Sequence, residues 1–310
     1  MRQRHSLGML KNIVVIGAGG RLGAALMRQW REEFAVTGFN HAQLDLGAPA
    51  RLRESLGALP FDALVNAAAL TNVDRCETHR EEAMQLNAEA PRVLAEICRE
   101  RGARFVQVST DYVFDGELRR PYREEDAANP ISVYGESKRK GEQQVLAEYP
   151  AALVARVSWV FGPDRPSFVD AILARARTET AVAAVADKWS TPTYTEDIAA
   201  MLRTVALGDS AASGLLHLAS RGECTWQEYA QWALDCCHRL GVRMAATTVG
   251  PSSLGEMKAF VARRPVYTVL GTERYEQLTG KPPRDWHDAV EQYVREHYAA
   301  KNPPRSLDRQ

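Results

Sequence analysis

Residues 12–16 read Asn-Ile-Val-Val-Ile and stop at Gly17. An apolar run that does not alternate predicts a strand buried on both faces, as in a parallel sheet. The spacing then predicts a helix over 21–32, a strand over 34–39, a short helix over 50–56 and a strand over 63–66. A long amphipathic helix over 81–101 ends at Gly102, a strand follows at 104–108, and a helix over 134–149 is stopped by Pro150. A fifth strand is expected at 152–157. Parallel strands need crossovers of this length, and such crossovers are right-handed. The alternation predicts an α/β fold with a doubly wound parallel sheet, Rossmann-like in its first half.

After Phe161 the pattern loosens. Helices are expected over 167–177, 196–206, 225–240 and 285–298, and a strand over 215–218. This reads as a smaller, mixed C-terminal substrate-binding region, 161–300, interleaved with late elements of the sheet of a first domain, 1–160. The polar stretch 301–310, with two prolines, reads as a disordered tail.

Composition narrows the function classes. The 310 residues carry 39 Lys plus Arg and 39 Asp plus Glu, a formal net charge of zero, so the basic excess of a nucleic-acid binder is missing. No stretch approaches the roughly 20 apolar residues that span a bilayer. The basic N-terminus is followed by no apolar segment of signal-peptide type. The five cysteines form no C-x-x-C pair and no zinc spacing, which points to free thiols, a reducing compartment and no metal site. A cytoplasmic location is expected.

The chemistry begins at Gly17-Ala18-Gly19-Gly20-Arg21-Leu22-Gly23, between the first strand and the first helix. In this context Gly17 permits the tight turn, Gly20 lets the backbone approach a pyrophosphate, and Gly23 lets helix and strand pack. The helix N-terminus then offers free N–H groups to the phosphates. After Phe39 come Asn40 and His41, with no acid to hold a ribose 2′-OH, while Arg21 is available for a 2′-phosphate. The balance favours NADPH, with NADH as the alternative. Asp45 reads equally as a neighbour of the adenine or as a helix cap. Asn66-Ala67-Ala68 ends the third strand with small residues that allow close approach to the adenosine half.

Tyr134 and Lys138 stand four residues apart, on one face of the expected helix. A nearby ammonium favours a phenolate and lowers the tyrosine pKa, which suits the pair to proton transfer as a hydride moves. Thr110 ends the fourth strand, where its hydroxyl can meet a substrate oxygen beside Tyr134. Asn87 reads as a buried organiser of the site or a surface residue, and His217 as a core histidine.

These residues, with Ser109-Thr110-Asp111-Tyr112-Val113-Phe114-Asp115-Gly116, Val133-Tyr134-Gly135-x-Ser137-Lys138 and Ser158-Trp159-Val160-Phe161-Gly162, resemble the extended short-chain dehydrogenases/reductases. Within them the chain is most similar to the dTDP-4-dehydrorhamnose reductases, from about Asn12 to Tyr293. The resemblance implies hydride delivery from NAD(P)H to the 4-keto carbon of a dTDP-4-keto-6-deoxyhexose, with Thr110, Tyr134 and Lys138 catalytic. It implies a cofactor held by Gly17, Gly20, Arg21, Leu22, Gly23, Asp45, Leu46, Asn66, Ala67 and Ala68, as well as Tyr134 and Lys138. It places Asp111, Val113, Trp159 and Arg264 at the nucleotide sugar. Some members are homodimers, and that assembly is the one the resemblance allows. The family's R-P-x-x-S-x-L-D pattern appears as Arg264-Pro265-Val266-Tyr267-Thr268-Val269-Leu270-Gly271, with Thr268 for Ser and Gly271 for Asp. Asp187–Pro192 also differs from the usual glycine-containing form.

Two rivals stay open. A 4-epimerase needs no additional acid. A regulatory subunit resembling the β subunit of methionine adenosyltransferase would bind cofactor without turnover. A dehydratase would carry Glu after Asp111, where this chain has Tyr112.

Overall fold

The computed structural model describes residues 10–208 and 211–300; the tail expected at 301–310 lies outside the described residues. In chain order the first half comprises β1 (Asn12–Ile16), α1 (Arg21–Trp30), β2 (Ala35–Phe39), α2 (Pro49–Gly57), β3 (Ala63–Asn66), α3 (Val73–Thr78), α4 (Arg80–Met84), α5 (Ala90–Arg101), β4 (Arg104–Thr110), α6 (Val133–Glu148) and β5 (Leu153–Val157). The second half adds β6 (Val160–Phe161), α7 (Phe168–Ala176), β7 (Val182–Val185), β8 (Trp189–Ser190), β9 (Thr193–Tyr194), α8 (Thr195–Leu207), β10 (Gly214–His217), β11 (Cys224–Thr225), α9 (Trp226–Arg239), β12 (Val249–Ser252), α10 (Glu273–Thr279) and α11 (Trp286–Val294).

Six parallel strands make the central sheet, in the order β10-β5-β4-β3-β1-β2. Ile13 and Val15 face one layer with Leu22, Leu26 and Trp30 of α1 and Ile198, Leu202 and Val205 of α8. Val14 and Ile16 face the other, with Leu52 and Leu56 of α2, Val93, Leu94 and Ile97 of α5, and Val145 of α6. Both faces of β1 are therefore dry, which is why its sequence does not alternate. Strand order reverses between β3 and β1, and a ligand crevice is expected there, beyond the carboxyl ends of the strands.

The long helix expected over 81–101 is interrupted. A π turn, Gln85–Glu89, separates α4 from α5. Pro91, in the first turn of α5, has no N–H to give the Asn87 carbonyl. That carbonyl instead lies against α6, where a Cβ on Gly141 would come within 2.1 Å of it.

Around α7, α9 and α11 a further core forms from Val169, Leu173, Tyr229, Leu234, Trp286 and Tyr293. Three two-stranded pairings, β6-β9, β7-β12 and β8-β11, tie this region together. All five cysteines are buried and free. Among the described residues no helix is long and apolar enough to cross a membrane, and no cluster of three or more potential ligands could hold a metal.

Candidate active site

A cavity of about 1030 Å³ opens at the reversal point, lined by the glycine loop, the ends of β2, β3 and β4, the start of α6, and Trp159. Gly17 has φ +85°, and a Cβ there would lie 2.8 Å from the Ala68 nitrogen. Only glycine lets β1 turn so close to the end of β3. No side chain caps α1 and its first turn carries no acid, so its free N–H groups face the cavity as an anion site. Gly20, Leu22, Leu46, Ala67 and Ala68 line the same wall. Gly23 stands behind it: a Cβ there would lie 2.0 Å from the Gly17 carbonyl oxygen, so its lack of a side chain sets the packing of α1 on β1. This cradle fits the diphosphate of a dinucleotide.

Three residues expected on the cofactor side have their bonds within the protein. Arg21 lines the cavity with its guanidinium engaged within the protein. It donates to the carbonyls of Val160 and Arg165, both at 3.2 Å, and of Pro166. Asp45 caps no helix and does not line the cavity; its carboxylate accepts from Gly47 N at 2.8 Å, closing a turn of its own. Asn66 is fully buried, donating to Gln107 at 2.8 Å and accepting from Ala68 N at 3.1 Å, so it shapes the Ala67-Ala68 wall without reaching the cavity.

On the opposite wall Thr110, Tyr134 and Lys138 come together. Ser132 caps α6 by accepting from Gly135 N at 3.2 Å, which fixes Tyr134 in the first turn. A Cβ on Gly135 would lie 2.1 Å from the Tyr112 carbonyl oxygen, so the helix start is pressed on the turn that follows β4. Tyr112 meets the Tyr134 ring edge-on, with centroids 5.6 Å apart. Asn87, in the π turn, is buried; it donates to Ser137 Oγ and to the Leu70 carbonyl, both at 3.0 Å, and accepts from Leu70 N at 2.8 Å. Ser137 in turn donates to the Tyr134 carbonyl at 2.9 Å.

The electrostatics differ from the expected pattern. Burial pushes the Tyr134 phenol well above its ordinary value, while the Thr110 hydroxyl beside it pulls the other way. Lys138 sends its ammonium to the Val108 carbonyl at 2.7 Å. Burial lowers its pKa to about 8, opposed by Glu142. The tyrosine is therefore held as a neutral phenol, with a cation one turn behind it.

The substrate side is a buried polar chain. Thr110 donates to Asp111 Oδ1 at 3.0 Å, and Ser158 donates to Asp111 Oδ2 at 3.0 Å. Ser190 links Ser158 at 2.9 Å, and Thr268 donates to Ser190 at 3.1 Å. Thr268, where the family pattern has Ser, thus belongs to this chain of hydroxyls. Gly271 packs where a Cβ would lie 3.2 Å from the Tyr122 carbonyl oxygen. Trp159 lines the cavity with φ +38°, among Phe168, Trp226 and Tyr229. A non-glycine residue in that region is strained, and here an aromatic cluster holds it.

Two other residues expected at the substrate do not line the cavity. Val113 is fully buried beside Phe114 and Tyr122 and lines no part of the cavity. Arg264 is paired with Asp74 at 2.8 Å and lies over the Phe260 ring, so it ties a surface loop to the start of α3. Sequence reasoning also passed over Lys188, which is buried and donates to the Pro265 carbonyl, 5.4 Å from the Tyr112 ring. Its signal was the departure at Asp187–Pro192. Arg165 was missed as well, because it stands in a segment without periodicity.

A model of the RmlD substrate binding domain matches residues 11–299. The probable dTDP-4,6-dihydroxy-2-methyloxan-3-one 4-ketoreductase of Streptomyces antibioticus is 38% identical over 94% of this chain and 97% of its own. The crystal structure of a dTDP-4-dehydrorhamnose reductase from Clostridium acetobutylicum is 31% identical, with a TM-score of 0.84 over 92% of this chain and 99% of that one. The dTDP-4-dehydrorhamnose reductase of Bacillus anthracis, solved in complex with NADP, is 27% identical, with a TM-score of 0.85 over 93% and 99% of the two chains. A match that runs nearly end to end, on a fold and a cleft of the same kind, leaves one assignment: the chain belongs to the RmlD substrate-binding-domain family.

Proposed function

We propose that this protein is an NADPH-dependent reductase of the 4-keto group of a dTDP-linked 6-deoxyhexose, taking dTDP-4-dehydrorhamnose to dTDP-L-rhamnose. The observation that carries this reading is the neutral, buried Tyr134 beside Thr110 and one helical turn from Lys138, on the wall facing the glycine cradle. Bound nicotinamide supplies the hydride. The chain's own task is then to hold the ketone and to deliver a proton to its oxygen as negative charge develops there.

Tyr134 is that donor, since burial keeps its proton on at neutral pH. Thr110 is held beside Tyr134 by its own bonds, donating to Asp111 Oδ1 at 3.0 Å and accepting from Tyr112 N at 3.2 Å. Lys138 lies four residues on and stabilises the phenolate left behind by its charge. Asp111 takes no proton in this scheme; Ser158 and Ser190 keep it ordered as an acceptor for Thr110. Trp159 supplies a flat apolar wall for the sugar. The protein works in the cytoplasm, in keeping with its five free buried thiols.

The test is NADPH and NADH consumption with dTDP-4-keto-6-deoxy-L-mannose generated in situ, with the product identified by mass and NMR. Formation of dTDP-L-rhamnose is expected. The sugar named for the Streptomyces relative is the second substrate to assay, because that relative is 38% identical over nearly the whole chain. Cofactor binding without turnover on either sugar would defeat the enzyme reading in favour of a binding subunit.

A further inference from the structure

In a doubly wound fold the adenosine ribose lies between the glycine loop and the end of the second strand, and an acid there selects NAD while a cation selects NADP. Here β2 is followed by Asn40 and His41, without a carboxylate. Asn40 caps its own turn, accepting from Ala42 N at 3.0 Å and Gln43 N at 3.2 Å. Arg21 has all three of its donor nitrogens turned to carbonyls.

Arg165 occupies the gap. It stands in the link between β6 and α7, is exposed, and lines the mouth of the cavity. Its Nε donates to the Gly19 carbonyl at 2.7 Å. Its Nη2 lies 3.9 Å from the point that a Cβ on Gly19 would occupy, and the Asn40 Cβ lies 3.6 Å from that same point. The guanidinium therefore hangs between the glycine loop and the end of β2. Among the described residues it makes no ion pair; its neighbour Asp164 is paired with Arg28 at 2.6 Å. The outer nitrogens keep their N–H groups for a ligand, in the fork that matches a phosphate. Arg21 anchors the same segment by bonding the Arg165 and Pro166 carbonyls.

We propose that Arg165 recognises the adenosine 2′-phosphate and so sets the preference for NADPH over NADH, while Arg21 positions it. This rests on the reading of the cleft as a nicotinamide dinucleotide site.

The experiment is equilibrium fluorescence titration of the purified chain with NADPH, NADH and 2′,5′-ADP, for wild type and Arg165→Ala. A bidentate charge-assisted contact predicts a loss of roughly tenfold to a hundredfold in NADPH affinity. NADH affinity should stay unchanged in the variant, which also shows that it is folded. 2′,5′-ADP should displace NADPH from the wild type and bind the variant at least tenfold more weakly. Equal losses for NADPH and NADH would move the guanidinium to the shared diphosphate and overturn the proposal. Equal wild-type affinities for the two would do the same. Failure of both nucleotides to bind the wild type would instead overturn the cofactor reading, and this inference with it.

Discussion

Arg156 donates from Nε and Nη2 to the two carboxylate oxygens of Glu142, at 2.8 and 2.7 Å, with side chains only 1% and 0% exposed. The pair joins β5 to α6, and Ser109 of β4 adds a third bond to Glu142 at 2.7 Å. Glu142 lies one turn beyond Lys138, so the same carboxylate supports the fold and favours the lysine's charge. Glu142→Gln leaves a guanidinium buried without its counter-charge and should destabilise the protein by about 3–5 kcal/mol. Urea unfolding measures this; a loss below about 1 kcal/mol would mean that water reaches the pair.

Removing only the proton donor should separate chemistry from binding. Tyr134→Phe keeps the ring that meets Tyr112 edge-on and deletes the hydroxyl. Turnover should fall roughly 10²- to 10⁴-fold, the usual worth of a positioned acid, while NADPH affinity stays near wild type. Single-turnover kinetics beside a fluorescence titration decide it, and undiminished turnover would sink the proposed mechanism.

Rate should also respond to the lysine. With a pKa lowered to about 8, Lys138 loses its charge as pH rises through that value, so kcat should fall on the alkaline side. Lys188, lowered to about 8 as well, is the other group that titrates there. Lys138→Arg should move the alkaline limb upward, whereas Lys188→Met should leave its midpoint in place. A limb that follows Lys188 would reassign it.

His217 has a stability signature. Burial, with Arg156 nearby, lowers its pKa from 6.5 to about 3, so the folded protein holds it neutral. The unfolded chain binds a proton on it below 6.5 while the fold does not. Stability is therefore complete above that pH and declines as pH falls toward 3. Between pH 6.5 and 5, above most carboxylate titrations, His217→Asn should flatten the slope of unfolding free energy against pH. An unchanged slope would place its source elsewhere.

How far the sequence could be read depended on where each signal sits. β1 and β3 match their expected ranges residue for residue, because uninterrupted apolar runs closed by Gly17 and Asn66 leave no other boundary. The α/β sheet with its parallel order followed from that alternation. β6, β8, β9 and β11 are two residues each, too short to carry any period. Tyr134 and Lys138 were legible because i and i+4 share a helix face. Arg21 and Arg165 were not: which arginine keeps N–H groups for a ligand depends on carbonyls brought in from more than a hundred residues away. Asp45 shows the same limit, since a turn and a ligand contact ask for the same residue type.

The return of β10 to the edge of the sheet, and of α8 to the face of α1, governs how the molecule can be assembled. Trp30 gives its indole N–H to the Ala199 carbonyl at 3.2 Å, and β10 pairs with β5 along Gly214–His217. A nascent chain that has reached only residue 160 has its glycine loop and its tyrosine but leaves one edge of β5 unpaired and one face of the sheet covered by α1 alone. Such an edge is a template for pairing with another chain. Completion waits on contacts between residues far apart in sequence, which slows folding and prolongs exposure to aggregation. The protein is in this sense closed well after its glycine loop and tyrosine are made, when α8 and β10 return to α1 and β5.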